Sequence, residues 1–134
     1  MITSVADQVG NHHILWKLDI VTARAREVPV LILGGRLGHA GSAELEEAMN
    51  RCLGDGRSMV IDLSSVDYLS SRCLDVLARA AARYAAGGGR LALAGVAPAV
   101  GLALDLANSR AAFVIEPTRD EAVARALDRP DGLP

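Results

Sequence analysis

The stretch Ser64–Leu74 (SSVDYLSSRCL) holds the residue types best placed for chemistry in this chain. It joins the end of a short apolar run to the start of the most strongly amphipathic one. That order predicts the C-terminal edge of a buried strand meeting a helix N-terminus. In open α/β sheets, ligands and partners bind at this edge. The first turn of a helix also offers free amide donors and positive potential, which suit a phosphate or a carboxylate. Ser70 or Ser71 is positioned to cap that helix. His39 lies in a second segment, Gly34–Gly41 (GGRLGHAG), that also precedes a helix and so reaches the same edge. A Ser–His pair needs a third group to orient the base. No residue is nominated for that role, so an enzyme is not expected.

Other motifs fail simple chemical tests. Gly34–Gly41 lacks the closing lysine and hydroxyl residue of a P-loop, and its glycines miss the dinucleotide-binding spacing. It reads as a glycine-rich loop making a tight turn into a helix. His12 and His13 are adjacent and would point to opposite faces of a strand, so no metal site is expected. Cys52 and Cys73 fall in two different helices and read as small buried hydrophobes rather than a disulfide. No cofactor is implied.

Composition narrows the class. The 134 residues suit one domain with a single core. Hydrophobic residues make up 51% and aromatics only 3%, so Leu, Val, Ile and Ala must build the core, as in helices packed on a sheet. The formal net charge of −2 gives no basic footprint for nucleic acid. No apolar run approaches the roughly 20 residues of a membrane span. No basic-then-apolar leader opens the sequence. A cytoplasmic protein without membrane insertion is expected.

The elements that must position the edge are read from periodicity. Residues 1–13 read as a flexible lead-in and 129–134 as a disordered tail, leaving one domain over 14–128. Residues 14–24 alternate as a half-buried strand. A polar break at Arg26–Glu27 leads into Val28–Gly34, a strand covered on both faces. Ser42 is expected to cap a helix to Leu53, with Glu44, Glu46 and Glu47 favouring its positive end and Gly54 stopping it. Ser58–Leu63 reads as a buried strand ending in a polar turn, followed by a helix over 72–86 with Asp75 and Arg79 spaced for an ion pair. A strand over 90–94, a helix from Pro98 to about Ala107 ended by Asn108, an edge strand over 114–116 and a last helix capped by Thr118 complete the chain. The result is an α/β fold: a mixed, mostly parallel sheet of about five strands, about four helices, and an antiparallel hairpin at the start.

Taken in order, these segments resemble the STAS domain over about residues 17–128. Gly35–Arg36–Leu37 resembles the family's G-x-L-D turn, and Ile61–Asp62–Leu63–Ser64 with Val66–Asp67 its strand-three signature. Gly88–Gly89–Arg90–Leu91 resembles the glycine turn before the fourth strand, and Glu116–Ala122 the closing segment. The resemblance implies a non-enzymatic regulator that binds a protein, an anti-sigma factor antagonist in a partner-switching system whose partner is a GHKL-type anti-sigma factor kinase. In that family the second serine of a D-S-S-G-L run at the second long helix is phosphorylated, which releases the partner.

Aligned on Leu74, Ser70 stands for the family's Asp, Ser71 for its first serine, Arg72 for the phosphoacceptor and Cys73 for the glycine. Gly38 stands where the G-x-L-D acid would be. The phosphorylation motif is degenerate, with Ser71, then Ser70, as the remaining acceptors. The expected partner surface comprises Gly38, His39, Ser70, Ser71, Arg72, Val76 and Arg79, with Arg72, Val76, Arg79 and Arg83 forming one exposed, mostly basic stripe. Two other readings fit the resemblance: a STAS subunit bracing a transporter's cytoplasmic ATPase, and a sensor of a nucleotide or lipid at the strand ends. The sequence leaves the oligomeric state open.

Overall fold

A computed structural model of the chain describes residues 18–53 and 58–128. The lead-in, His12, His13, the first residues of the expected first strand, Gly54 and the tail lie outside the described residues. Five strands line up in chain order. β1 (Leu18–Ala25) pairs antiparallel with β2 (Val28–Leu37). β3 (Met59–Leu69), β4 (Leu91–Ala94) and β5 (Val114–Glu116) add in parallel. The helices are α1 (Ser42–Leu53), α2 (Ser71–Ala86), α3 (Pro98–Leu106) and α4 (Arg119–Leu127). This is the mixed sheet and opening hairpin that the alternation predicted.

The hairpin is closed by two residues, Arg26 and Glu27, with φ of 53° and 72°. Both sit in the left-handed region, as a two-residue turn matched to strand twist requires. Strands then accumulate in one direction, so right-handed crossovers put α1, α2 and α3 on one face. There Leu31, Leu33, Met59, Ile61, Leu63, Leu91 and Leu93 meet Leu45, Met49, Leu74, Leu77 and Leu104 in the main core. The other face presents Val28, Val30, Val60, Ala92 and Ala94 to Ala122, Val123 and Ala126 of α4. Small side chains on both sides let α4 lie close to the sheet. Thr118 caps α4 as expected: its Oγ1 accepts from the Glu121 amide at 3.2 Å and donates to the Glu121 carboxylate at 2.9 Å.

Two boundaries differ from expectation. β3 does not end in a turn after Leu63; it continues to Leu69 alongside Gly34–Leu37, which is therefore strand rather than loop. Between Ile32 and Gly34, β2 advances two residues while β3 advances three, from Asp62 to Ser65. Between Gly35 and Arg36, β2 advances one while β3 advances two, from Val66 to Tyr68. Each extra residue in β3 is a bulge. Bulges put neighbouring residues on the same side, so Ser64–Ser65 and Asp67–Tyr68 are exposed in pairs and the two-residue period that marks a strand is lost. The second difference is Ser42. It opens α1 but does not cap it; its hydroxyl donates to the His39 carbonyl at 2.9 Å, closing a 3-10 turn over His39–Gly41.

One polar group is buried under α4. The Asp62 carboxylate accepts from the Ser64 hydroxyl (2.6 Å), the Ser64 amide (2.9 Å) and the Arg119 guanidinium (2.8 Å). Burial alone would push this carboxyl up. The Ser64 bonds and Arg119 outweigh it and hold the group below the usual carboxylate range. A depressed folded pKa gives stability that is complete above the unfolded value and is lost as pH falls through the folded one. Replacing Asp62 by Ala, which strands these donors, is expected to cost about 1–3 kcal/mol at neutral pH in urea unfolding. The difference from the wild type should shrink below about pH 4; a gap independent of pH would contradict this role.

Candidate functional site

The upper half of β3 rises past its last pairing with β4, Asp62↔Ala94, and keeps only β2 as a neighbour. The two strands end together at Leu37↔Leu69. Two bonds lock the chain just beyond these strand ends. The Ser70 amide donates to the Leu37 carbonyl at 2.8 Å. The Cys73 thiol donates to the Gly38 carbonyl at 3.4 Å. The 3-10 turn after β2 thus packs against the first turn of α2. Ser70 caps that helix, accepting from the Cys73 amide at 3.2 Å.

These closures bring Gly38, His39, Ser71 and Arg72 onto one surface at the strand ends. His39, Ser71 and Arg72 are exposed and Gly38 is half-buried. Among the described residues, no hydrogen bond or ion pair engages the Arg72 side chain. It stands beside the positive end of α2, where the helix dipole does nothing to hold it. A Cβ at Gly38 would meet nothing within 4 Å, and φ there is −83°. The position is open toward solvent and free of strain.

Three residues expected on this surface sit differently. Ser70 is 4% exposed, with its hydroxyl engaged in capping. Val76 is 4% exposed and belongs to the main core. It stands at the margin of the buried arc of α2, which also holds Cys73, Leu74, Leu77, Ala80, Ala81 and Tyr84. Helical spacing put it in line with Arg72, Arg79 and Arg83, but α1 packs over that margin. Arg79 and Arg83 are exposed and reach across to α1 rather than outward. Arg79 pairs with Glu46 at 3.4 Å, not with Asp75, and Arg83 donates to Asn50 at 3.3 Å. The expected stripe is therefore reduced to Arg72 as its outward-acting cation.

The bulges also create a separate polar group on β2 and β3 that periodicity missed. Arg36 and Tyr68 face each other across the β2–β3 register, the guanidinium carbon 4.6 Å from the ring centroid. Asp67 lies 3.9 Å from Arg36. The doubled polar pairs SS and DY in an otherwise apolar strand were the available signal. The strand-end surface carries guanidinium, imidazole and hydroxyl groups in Arg72, His39 and Ser71. Among the described residues no carboxylate is bonded to His39. Cys73 is fully buried and burial pushes its thiol up, keeping it a proton donor to Gly38 rather than a nucleophile. Among the described residues no three His, Cys, Asp or Glu side chains gather as a metal site.

A family model described as "Mlab, STAS domain" matches residues 20–110. Solved structures agree in fold. An anti-sigma factor antagonist from Mycobacterium paratuberculosis is 25% identical, with a TM-score of 0.73, covering 84% of this chain and 96% of its own. An anti-sigma-factor antagonist (STAS) domain protein from Planctomyces limnophilus is 19% identical, with a TM-score of 0.69, covering 78% and 94%. The phosphorylated form of the Bacillus cell fate determinant SpoIIAA is 16% identical, with a TM-score of 0.63, covering 80% and 98%. No curated protein matches the sequence.

Two glycines separate surface from scaffold. Gly95 has φ +68°, and a Cβ there would lie 2.8 Å from the Ser64 Cβ, because the chain leaving β4 crosses the bulge in β3. Gly95→Ala is expected to cost about 1–3 kcal/mol. Gly38→Ala should change stability by no more than about 0.5 kcal/mol. Urea unfolding of both variants checks the contrast; a large loss at Gly38 would mean that the site is structural.

Proposed function

The chain belongs to the STAS domain family, and from that membership and the strand-end surface we propose that it is a non-enzymatic regulator that docks a protein partner. The single observation that carries this reading is the exposed Arg72 at the head of α2, unpaired among the described residues, on a surface closed by the Leu37–Ser70 and Gly38–Cys73 bonds. Arginine offers five donors in a fixed fork and matches a carboxylate on a partner. His39 and Ser71, exposed at the same strand ends, suit the rim of such a contact. We assign the chain the role of an anti-sigma factor antagonist in the cytoplasm, with a GHKL-type anti-sigma kinase as partner. Among the described residues no helix is long and apolar enough to cross a membrane.

Control by phosphorylation does not carry over simply. Arg72 stands at the position that the family phosphorylates and has no hydroxyl. Ser70 is buried as a cap, so Ser71 is the one hydroxyl of the pair open to a kinase. The same feature favours a second reading, a constitutively docked STAS subunit of a transporter's cytoplasmic ATPase, which needs no phosphoserine. The identity of the protein that co-purifies with the full chain separates the two.

The charge of Arg72 is the testable core of either reading. With the co-purified partner, Arg72→Glu should weaken binding at least about tenfold, or 1.4 kcal/mol. Ser71→Ala should leave it within about twofold, since loss of one rim hydroxyl seldom exceeds 0.5 kcal/mol. Calorimetric titration of both variants measures this. Unchanged affinity in Arg72→Glu would remove the docking role.

A further inference from the structure

A second surface lies on the same face of the sheet as α1 and α2 but over its β4–β5 end. α3 (PAVGLALDL) is apolar at nearly every position. Burying Val100, Gly101 and Leu104 therefore leaves Ala99, Leu102 and Leu106 outward, in one stripe. Leu102 is 58% exposed and Leu106 79%, the two highest among the large apolar side chains of the described residues. The others, Val21, Tyr68 and Leu127, stand singly on three other elements. Against the stripe opens a mostly apolar cavity of about 780 Å³, walled by Val96, Ala97, Leu102, Ile115 and Pro117 and edged by Asp105, Arg110 and Glu116. Projecting leucines and an apolar hollow thus share one patch.

The charges around it are already matched. Arg110 holds both oxygens of Asp105, at 2.6 and 3.3 Å, and donates to the Gly101 carbonyl at 3.2 Å. It lies flat across α3 because residue 101 has no side chain; a Cβ there would come within 3.0 Å of the guanidinium. Glu116 pairs with Arg125 at 2.7 Å. The rim therefore holds two acids and two arginines with no excess of either sign. A strongly charged partner finds no complement here. A second copy of this patch meets equal and opposite charges and no net repulsion.

We propose that the chain forms a two-fold dimer through the outer face of α3, with Leu102 and Leu106 of each copy seated in the hollow of the other. A surface that carries both knob and hollow suits the self-complementary contact of a two-fold axis. The contact sits over β4 and β5, away from the ends of β2 and β3, so both docking surfaces stay free. The dimer is bivalent and gains effective concentration toward a clustered or dimeric partner. Stable interfaces bury about 800 Å² per partner; a contact centred on two leucines and one hollow is at the low end, so the dimer is weak and concentration-dependent.

Sedimentation velocity on the full chain over a wide concentration series tests this. The expected result is a shift from monomer to dimer that Leu106→Asp or Leu102→Asp weakens at least tenfold. Both side chains face solvent in the monomer, so both variants should keep the melting temperature of dilute wild type. Arg72→Glu should dimerise like the wild type, which separates this inference from the docking role. A wild type monomeric at every concentration would overturn it. So would a dimer that survives both leucine changes, one lost only in Arg72→Glu, or open-ended assembly beyond the dimer.

Discussion

The pairing of β2 with β3 is the constraint on which the rest of the structure depends. β3 is buried on both faces over its first half and carries β4 along one edge. Over its second half it keeps β2 alone, and the pair ends flush at Leu37 and Leu69. The Ser70 amide then bonds the Leu37 carbonyl, and this sets where α2 begins. Had the register slipped by one residue, the inward set Val66 and Leu69 would face solvent. Two bulges let the upper strand keep that inward set while turning Ser64–Ser65 and Asp67–Tyr68 outward. The scaffold and the candidate surface are thus consequences of one ladder.

The outline of the fold was legible because most elements obey a single period. β2, β4 and β5 are apolar runs, α2 has a broad apolar arc, and Ser70 and Thr118 cap helices through their own hydroxyls. What was hidden has physical causes. The bulges erase the two-residue period of upper β3, so a strand looked like a turn, and its partner Gly34–Leu37 looked like a glycine loop. Val76 lies at the helical spacing of three arginines, and spacing on one helix cannot reveal that a second helix covers its margin. Arg79 and Arg83 looked free for the same reason. In α3, apolar residues on every side leave no period to show which leucines face outward.

The site itself was half legible. Gly38, His39, Ser71 and Arg72 do converge, because chain order in a parallel sheet brings successive strand ends to one edge. The chemistry of that edge is set by substitution rather than by placement. By the sequence resemblance, a glycine with open space around it and an arginine beside a positive helix end stand where the family motif has an acid and a hydroxyl. Cys73 shows the same division of labour: its buried thiol is a tie to Gly38, not a reagent.

The docking role turns on where a partner touches this chain, and site-specific photo-crosslinking in the living cell addresses that most directly. A photoreactive residue at His39 leaves Arg72 intact and sits on the strand-end surface. One at Ala124 sits on the exposed side of α4, against the opposite face of the sheet. One discrete adduct is expected from position 39, lost when Arg72 is also changed to Glu, and none from position 124. An adduct from position 124 with none from position 39 would contradict docking at the strand ends.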